Sequence, residues 1–111
     1  AEGKEPSTGD GGYSILDVPV GKVQRQNLAA WVRVKARVKE IHESTNDRTP
    51  YRLILEEGND TVTVTVYRDK WAGLMQAPTQ GSLVRVLGVV KEYKGEKQIN
   101  VLRPANIEII Q

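Results

Sequence analysis

The segment Trp31–Ile41, WVRVKARVKEI, constrains the fold more than any other part of the chain. Over most of its length small apolar residues alternate strictly with charged or bulky ones, and a period of two residues is that of a β-strand. This strand has one apolar face and one strongly basic face. The next apolar residue, Ile41, follows Val38 by three positions, which predicts a β-bulge or a sharp bend near Lys39–Glu40. A long strand with such a bend is typical of one shared by two halves of a closed sheet.

Two pairs of β-segments with glycine turns follow the first long strand. Tyr51–Glu56 and Thr61–Tyr67 alternate with period two and flank Glu57–Asp60, EGND, whose glycine and asparagine favour a hairpin turn. Ser82–Tyr93 and Glu96–Arg103 flank a second glycine turn in the same way. We therefore predict two β-hairpins.

Three further segments complete the predicted order of elements. Asp69–Gln76, DKWAGLMQ, breaks the alternation and predicts a short helix that Gly73 weakens and that ends before Pro78. Tyr13–Val23 predicts an extended lead-in that packs on the domain, and Ile107–Ile110 predicts a last extended piece.

The order of these elements is a curved strand, a hairpin, a short helix and a second hairpin. That order is the one of an all-β, five-stranded OB-fold barrel with a short helix between strands 3 and 4. Closing the sheet removes exposed edges, which a chain rich in valine requires. The main competitor is an SH3-like barrel, which normally lacks a helix at that connection. We therefore predict an OB-fold domain over residues 13–111. Residues 1–12, AEGKEPSTGDGG, are rich in glycine and small polar residues and predict a flexible N-terminal tail.

Two stretches of the sequence resemble one family of OB domains. They are Ile15–Lys22, ILDVPVGK, followed by the strand Val32–Ile41, and the glycine-containing segment Gly81–Val101. Both are similar to the OB domains of the replication protein A and tRNA-anticodon-binding superfamily. Ala36 stands where the first strand of that family often has a glycine. The resemblance implies a domain that binds nucleic acid across strands two and three and the loops that face them.

Cations and aromatic rings on the predicted strands and loops form the candidate site. Phosphates require positive charge, and each base that stacks on an aromatic ring contributes about 1–3 kcal/mol. In an OB barrel the ligand crosses strands two and three, between the loops that join strands one to two and four to five. The candidate nucleic-acid-binding residues are therefore Arg33, Lys35, Arg37, Arg48, Tyr51, Arg52, Tyr67, Arg68, Lys91, Tyr93, Lys94, Lys97 and Asn100. Tyr93, beside the Lys94-Gly95 tip, is the foremost stacking candidate.

These residues also have ordinary structural explanations. Cations on the solvent face of a strand increase solubility and oppose edge pairing, and the stripe Arg33–Lys39 could instead face acids of a neighbouring strand, such as Glu56. Tyr51 and Tyr67 could instead cap the ends of the barrel as core residues. Trp71 is expected to plug one end of the barrel.

Composition excludes several other kinds of site. The chain has no cysteine and one histidine, His42, which excludes disulfides, thiolate metal sites and multi-histidine metal sites. The acidic residues lack the spacing of a metal loop, and Ser44 and Thr45 have no neighbouring base. We therefore predict a binding module with no catalytic residue, no metal and no cofactor. No apolar run approaches the ~18 residues of a membrane helix, so no membrane partner is expected.

Two functions remain open. Residues 1–27 hold three basic and four acidic residues (−1), and the thirteen basic and ten acidic residues that follow give +3, so the basic excess belongs to the folded part. The favoured function is binding of single-stranded DNA or RNA with low sequence preference. The alternative is an exported or scaffolding OB-fold domain that binds a protein or a small ligand. The first implies a cytoplasmic protein, and the second is favoured if Ala1 follows a cleaved signal peptide. Oligomers are possible in either case.

Overall fold

A computed structural model describes residues 15–110, so the tail predicted over residues 1–12 lies outside the described residues. The strands are β1 (Ile15–Asp17), β2 (Trp31–His42), β3 (Tyr51–Glu57), β4 (Asp60–Val66), β5 (Leu83–Tyr93), β6 (Glu96–Asn100) and β7 (Ile107–Ile109). One α-helix, α1 (Arg68–Ala72), and two 3₁₀ turns, Val20–Arg25 and Pro104–Asn106, connect them.

Five of the strands pair in a closed ring, in the order β2, β3, β4, β6, β5 and back to β2. The short strand β1 lies parallel to β2, and β7 lies antiparallel to β5. The ring is least complete between β4 and β6, which pair only at Val64 with Ile99 and Thr65 with Asn100. The predicted five-stranded OB-fold barrel, with a short helix between its third and fourth strands, is confirmed.

Strand β2 closes the ring because it is long enough to serve two neighbours. Its first half, Trp31–Arg37, pairs with β5, and its second half, Arg37–His42, pairs with β3. The register with β3 shifts between Val38 and Glu40. This irregularity is the bulge that the interrupted alternation predicts, and it bends the strand from one half of the sheet into the other.

The core consists of the inward-facing residues of the alternating strands. Val34 of β2, Leu53 of β3 and Val64 of β4 are at most 1% exposed. Burial of each such side chain stabilises the fold by about 1.5–3 kcal/mol. Because these residues recur with period two, their neighbours along each strand face outward, and the outer faces of the strands are free to carry polar and charged groups.

The 3₁₀ turn Val20–Arg25 fills the end of the barrel where β4 and β6 diverge. Val20 and Val23 are buried on the same side of this turn, a spacing that an extended chain would not bring together. The side-chain amide of Gln24 donates to the carbonyl of Lys97 (2.8 Å) and accepts from its N–H (3.0 Å). The lead-in predicted as extended is thus a short edge strand followed by a turn that covers the open part of β6.

Helix α1 is shorter than the segment Asp69–Gln76 predicted for it. It ends at Ala72, where Gly73 bonds back to Lys70 and Trp71. The indole of Trp71 stacks on the ring of Tyr51 with centroids 4.1 Å apart, and both residues pack against the core. Trp71 therefore packs against the core from α1.

Candidate functional site

A groove of about 890 Å³ crosses the outer face of the barrel between the loop 43–50 and the β5–β6 turn. We call it the β3–β6 groove, after the strands that form its floor. Its lining residues are Arg48, Thr49, Pro50, Arg52, Thr65, Tyr67, Lys91, Glu92, Tyr93, Lys94, Gln98 and Asn100.

The floor of the β3–β6 groove is one row of outward-facing residues on adjacent strands. Arg52 lies opposite Thr65, and Thr65 lies opposite Asn100. The Thr65 hydroxyl donates to Oδ1 of Asn100 at 3.0 Å. Because this bond uses the Oδ1 acceptor of Asn100, the Nδ2 donors of Asn100 stay available for a ligand.

The loop 43–50 forms one wall and is held in shape by its own polar side chains. Oδ1 of Asn46 accepts from the backbone N–H of Arg48 (2.8 Å) and from the hydroxyl of Thr49 (3.2 Å). Oγ of Ser44 lies 2.7 Å from the carbonyl oxygen of Asn46. These bonds form an Asx-type turn that fixes the backbone of Arg48 at the edge of the groove.

The β5–β6 turn forms the opposite wall. Tyr93 pairs with Glu96 across it, and the two residues between them have positive φ, 52° at Lys94 and 83° at Gly95. This is the pattern of a type I′ hairpin turn. Tyr93 is 59% exposed, and Tyr67, which also lines the groove, is 40% exposed. The groove therefore presents two aromatic rings to solvent.

Within residues 15–110, the cations of the groove make no ion pair. Among the described residues, no carboxylate lies within 4.0 Å of the charged nitrogens of Arg48, Arg52, Lys91 or Lys94. The acidic residue in the lining is Glu92. The site thus carries an excess of uncompensated positive charge, which attracts an anion.

The basic stripe of β2 lies elsewhere and is partly neutralised. Arg33 makes a two-pronged ion pair with Asp17 (2.6 and 2.9 Å), and this hydrogen bonding holds the pKa of Asp17 below its ordinary value. Arg37 donates to the carbonyl of Gly81 at 3.0 Å. Lys35 lines a separate surface pocket of about 390 Å³ together with Arg33. None of these three basic residues lines the β3–β6 groove.

Other candidate residues also lie outside the lining. Tyr51 stacks on Trp71, so that ring face is not open to a base. Arg68 pairs with Asp47 at 3.5 Å and ties α1 to the loop 43–50. The ammonium group of Lys97 donates to the carbonyl of Gln26.

The structure thus divides the predicted residues into two sets. It brings together in one groove Arg48, Arg52, Tyr67, Lys91, Tyr93, Lys94 and Asn100. It places outside that groove Arg33, Lys35, Arg37, Tyr51, Arg68 and Lys97. The candidate set lacked five lining residues, which are Thr49, Pro50, Thr65, Glu92 and Gln98. The alternation of β4 places its threonines on the outer face and so marks Thr65 as a floor residue.

Residues 15–110 contain no group of three or more acidic or histidine side chains arranged to hold a metal ion. No helix within the same range is both long enough and apolar enough to cross a bilayer.

Several solved structures share this fold. A chain of a replication protein A heterotrimer bound to ssDNA superposes with a TM-score of 0.68 at 15% identity, over 88% of this chain and 82% of that one. An OB domain from Methanosarcina mazei gives 0.67 at 19% identity, over 87% and 84%. Asparaginyl-tRNA synthetase from Pyrococcus horikoshii gives 0.65 at 19% identity, over 85% of this chain and 22% of the synthetase. At these identities the likeness shows the fold.

The sequence itself identifies the family. No curated protein matches the chain. The family of OB-fold nucleic acid binding domains of the tRNA anticodon type matches residues 32–110, from β2 to the end of β7. That stretch is more than half of the chain and contains every strand of the closed ring apart from Trp31, the first residue of β2. The protein therefore belongs to the family of OB-fold nucleic acid binding domains.

Proposed function

We propose that the β3–β6 groove binds single-stranded DNA or RNA with little sequence preference, through phosphate charge and base stacking. The proposal makes the protein a binding module. It rests on the composition of one groove and on membership of a family of nucleic acid binding domains.

The observation that carries the proposal is the contrast between paired and unpaired cations. On the outer face of β2 and β5, Arg33 and Arg85 already hold carboxylates of β1 and β7. In the groove, no described acid pairs with Arg48, Arg52, Lys91 or Lys94. An unpaired cation binds a phosphate without first losing a partner, and each contact releases a counterion from the nucleic acid. The groove is therefore the favoured place for a polyanion.

The aromatic rings account for the preference for single strands. Tyr93 and Tyr67 stand exposed on the same groove, and unstacked bases can lie on such rings. Bases inside a duplex are already stacked on one another. Stacking tolerates any base, and the amides of Gln98 and Asn100 can bond to several base edges, so low sequence preference follows.

The experiment is a salt titration of oligonucleotide binding. We expect the logarithm of the association constant to fall linearly with the logarithm of salt concentration, with a slope of roughly −2 to −3 if each groove cation neutralises one phosphate. The double variant Arg52→Gln with Tyr93→Ala should weaken binding to DNA and RNA oligonucleotides of every sequence. The loss of one stacked base corresponds to about 1–3 kcal/mol, and the loss of one phosphate contact flattens the slope by about 0.7.

The matched control is Arg25→Gln, which removes an exposed arginine of the 3₁₀ turn outside the groove lining. It should leave affinity within about twofold of wild type. Affinity that does not change with salt would refute the proposal and favour the alternative, a protein or small-molecule ligand for the same groove. Equal losses for Arg25→Gln and Arg52→Gln would show that binding is not located in the groove.

A further inference from the structure

The tip of the β5–β6 turn has a backbone conformation that its side chain does not favour. Lys94 has φ of 52°, in the left-handed region. Asparagine, aspartate and glycine are the residues that type I′ turns prefer at this position, because other side chains are crowded by their own backbone there. The following residue, Gly95 with φ of 83°, satisfies the same requirement at no steric cost.

The contacts of the Lys94 side chain give a reason for lysine at this position, where the turn itself prefers asparagine, aspartate or glycine. Its Nζ lies 5.3 Å from the centroid of the Tyr93 ring, a cation–π distance. In the described chain this ammonium group makes no ion pair, and it lines the β3–β6 groove. Lysine at this position therefore adds a ring contact and a free charge at the mouth of the groove, where asparagine would only relax the turn.

We propose that Lys94 positions Tyr93 for the ligand: it covers one face of the ring, so that one base stacks on the other face, and it holds a phosphate next to that base. This inference rests on the proposed function. It assigns the strained turn to binding and predicts that the fold would be more stable with asparagine at position 94, because asparagine tolerates the positive φ of this turn.

The contact of Lys94 with one face of the Tyr93 ring also favours stacking of a base on the other face. A cation over an aromatic ring is attracted by the negative charge of the ring face. A ring held in this way loses less freedom when a base lands on it, so less of the stacking energy is spent on ordering the site. Lys94 and Tyr93 should consequently act as a coupled pair in binding.

The first part of the test compares Lys94→Asn, Lys94→Arg and the control Lys22→Asn in thermal unfolding and in oligonucleotide binding. Lys94→Asn should raise the Tm by about 2–4 °C, weaken binding about three- to tenfold and flatten the salt slope by about 0.7. Lys94→Arg, which keeps the charge, should bind within about twofold of wild type. Lys22→Asn makes the same change in the exposed part of the 3₁₀ turn outside the groove and should alter neither binding nor Tm in these directions.

The second part is a double-variant cycle. If Lys94 positions the ring, the loss from Lys94→Asn should shrink by at least about twofold in the Tyr93→Ala background. Additive losses would overturn the positioning role, and tight binding by Lys94→Asn would overturn the inference as a whole. A wild-type protein that binds no oligonucleotide would refute the proposed function instead, and a rise in Tm for Lys94→Asn would then still show that the turn is strained.

Discussion

Gly88 of β5 lies close against the end of β6. A Cβ atom built on Gly88 would meet the carbonyl oxygen of Asn100 and a methyl group of Ile99, each at 2.6 Å. Backbone of a paired strand cannot yield as the far end of a flexible side chain can. Because Asn100 belongs to the groove floor, the absence of a side chain at Gly88 lets β6 place its amide there.

We therefore expect Gly88→Ala to destabilise the protein by about 1–3 kcal/mol, because the added methyl forces the two strands apart. The measurement is the free energy of unfolding in urea. The control is Gly58→Asn, at the β3–β4 turn, where φ is 62° and no atom lies within 4 Å of the added Cβ. Asparagine tolerates that φ, so the control should cost less than about 0.5 kcal/mol. Equal effects at the two positions would contradict the close approach at Gly88.

The loop 43–50 is an element whose shape is set before any ligand arrives. Asn46 bonds to the backbone of Arg48 and to the hydroxyl of Thr49 without lining the groove itself. We expect Asn46→Ala to lower the stability by about 1 kcal/mol and to weaken oligonucleotide binding about two- to fivefold, because the loop must then be ordered on binding. The salt slope should stay unchanged, since Arg48 is still present.

Arg48→Gln is the comparison that separates shape from charge in this loop. It should weaken binding to a similar extent but flatten the salt slope by about 0.7. A full loss of binding for Arg48→Gln together with no change for Asn46→Ala would show that the loop needs no preorganisation.

Strand β2 shows what the sequence could and could not predict about an element. Its alternation and the misplaced Ile41 predict a bent strand shared by two partners, because both features are local in sequence. The role of its basic face was not predictable in the same way. Arg33 forms an ion pair with Asp17 of β1, and a turn and a loop separate β1 from β2 along the chain. No local pattern in the sequence shows that contact.

The closed ring follows from the order of the elements, but the groove depends on which residues the ring brings together. The sequence predicts cations on β2 and on the strands and loops of the groove, but it does not show which of these cations form ion pairs. The ion pairs that divide them join distant segments, such as Arg85 with Glu108 across β5 and β7. The stack of Tyr51 on Trp71 likewise joins β3 to α1 and covers one face of a ring that was predicted to bind a base. Solvent-exposed ion pairs contribute little to stability, so they leave little trace in the composition of the chain.

The most direct test of the groove as the binding site is chemical-shift mapping. Backbone amide shifts of labelled protein would be followed while a single-stranded oligonucleotide is added at low salt. We predict that the largest changes fall in three segments that line one groove, 48–52, 65–67 and 91–100. Largest changes instead in the separate pocket lined by Arg33, Lys35 and Arg85 would contradict the account.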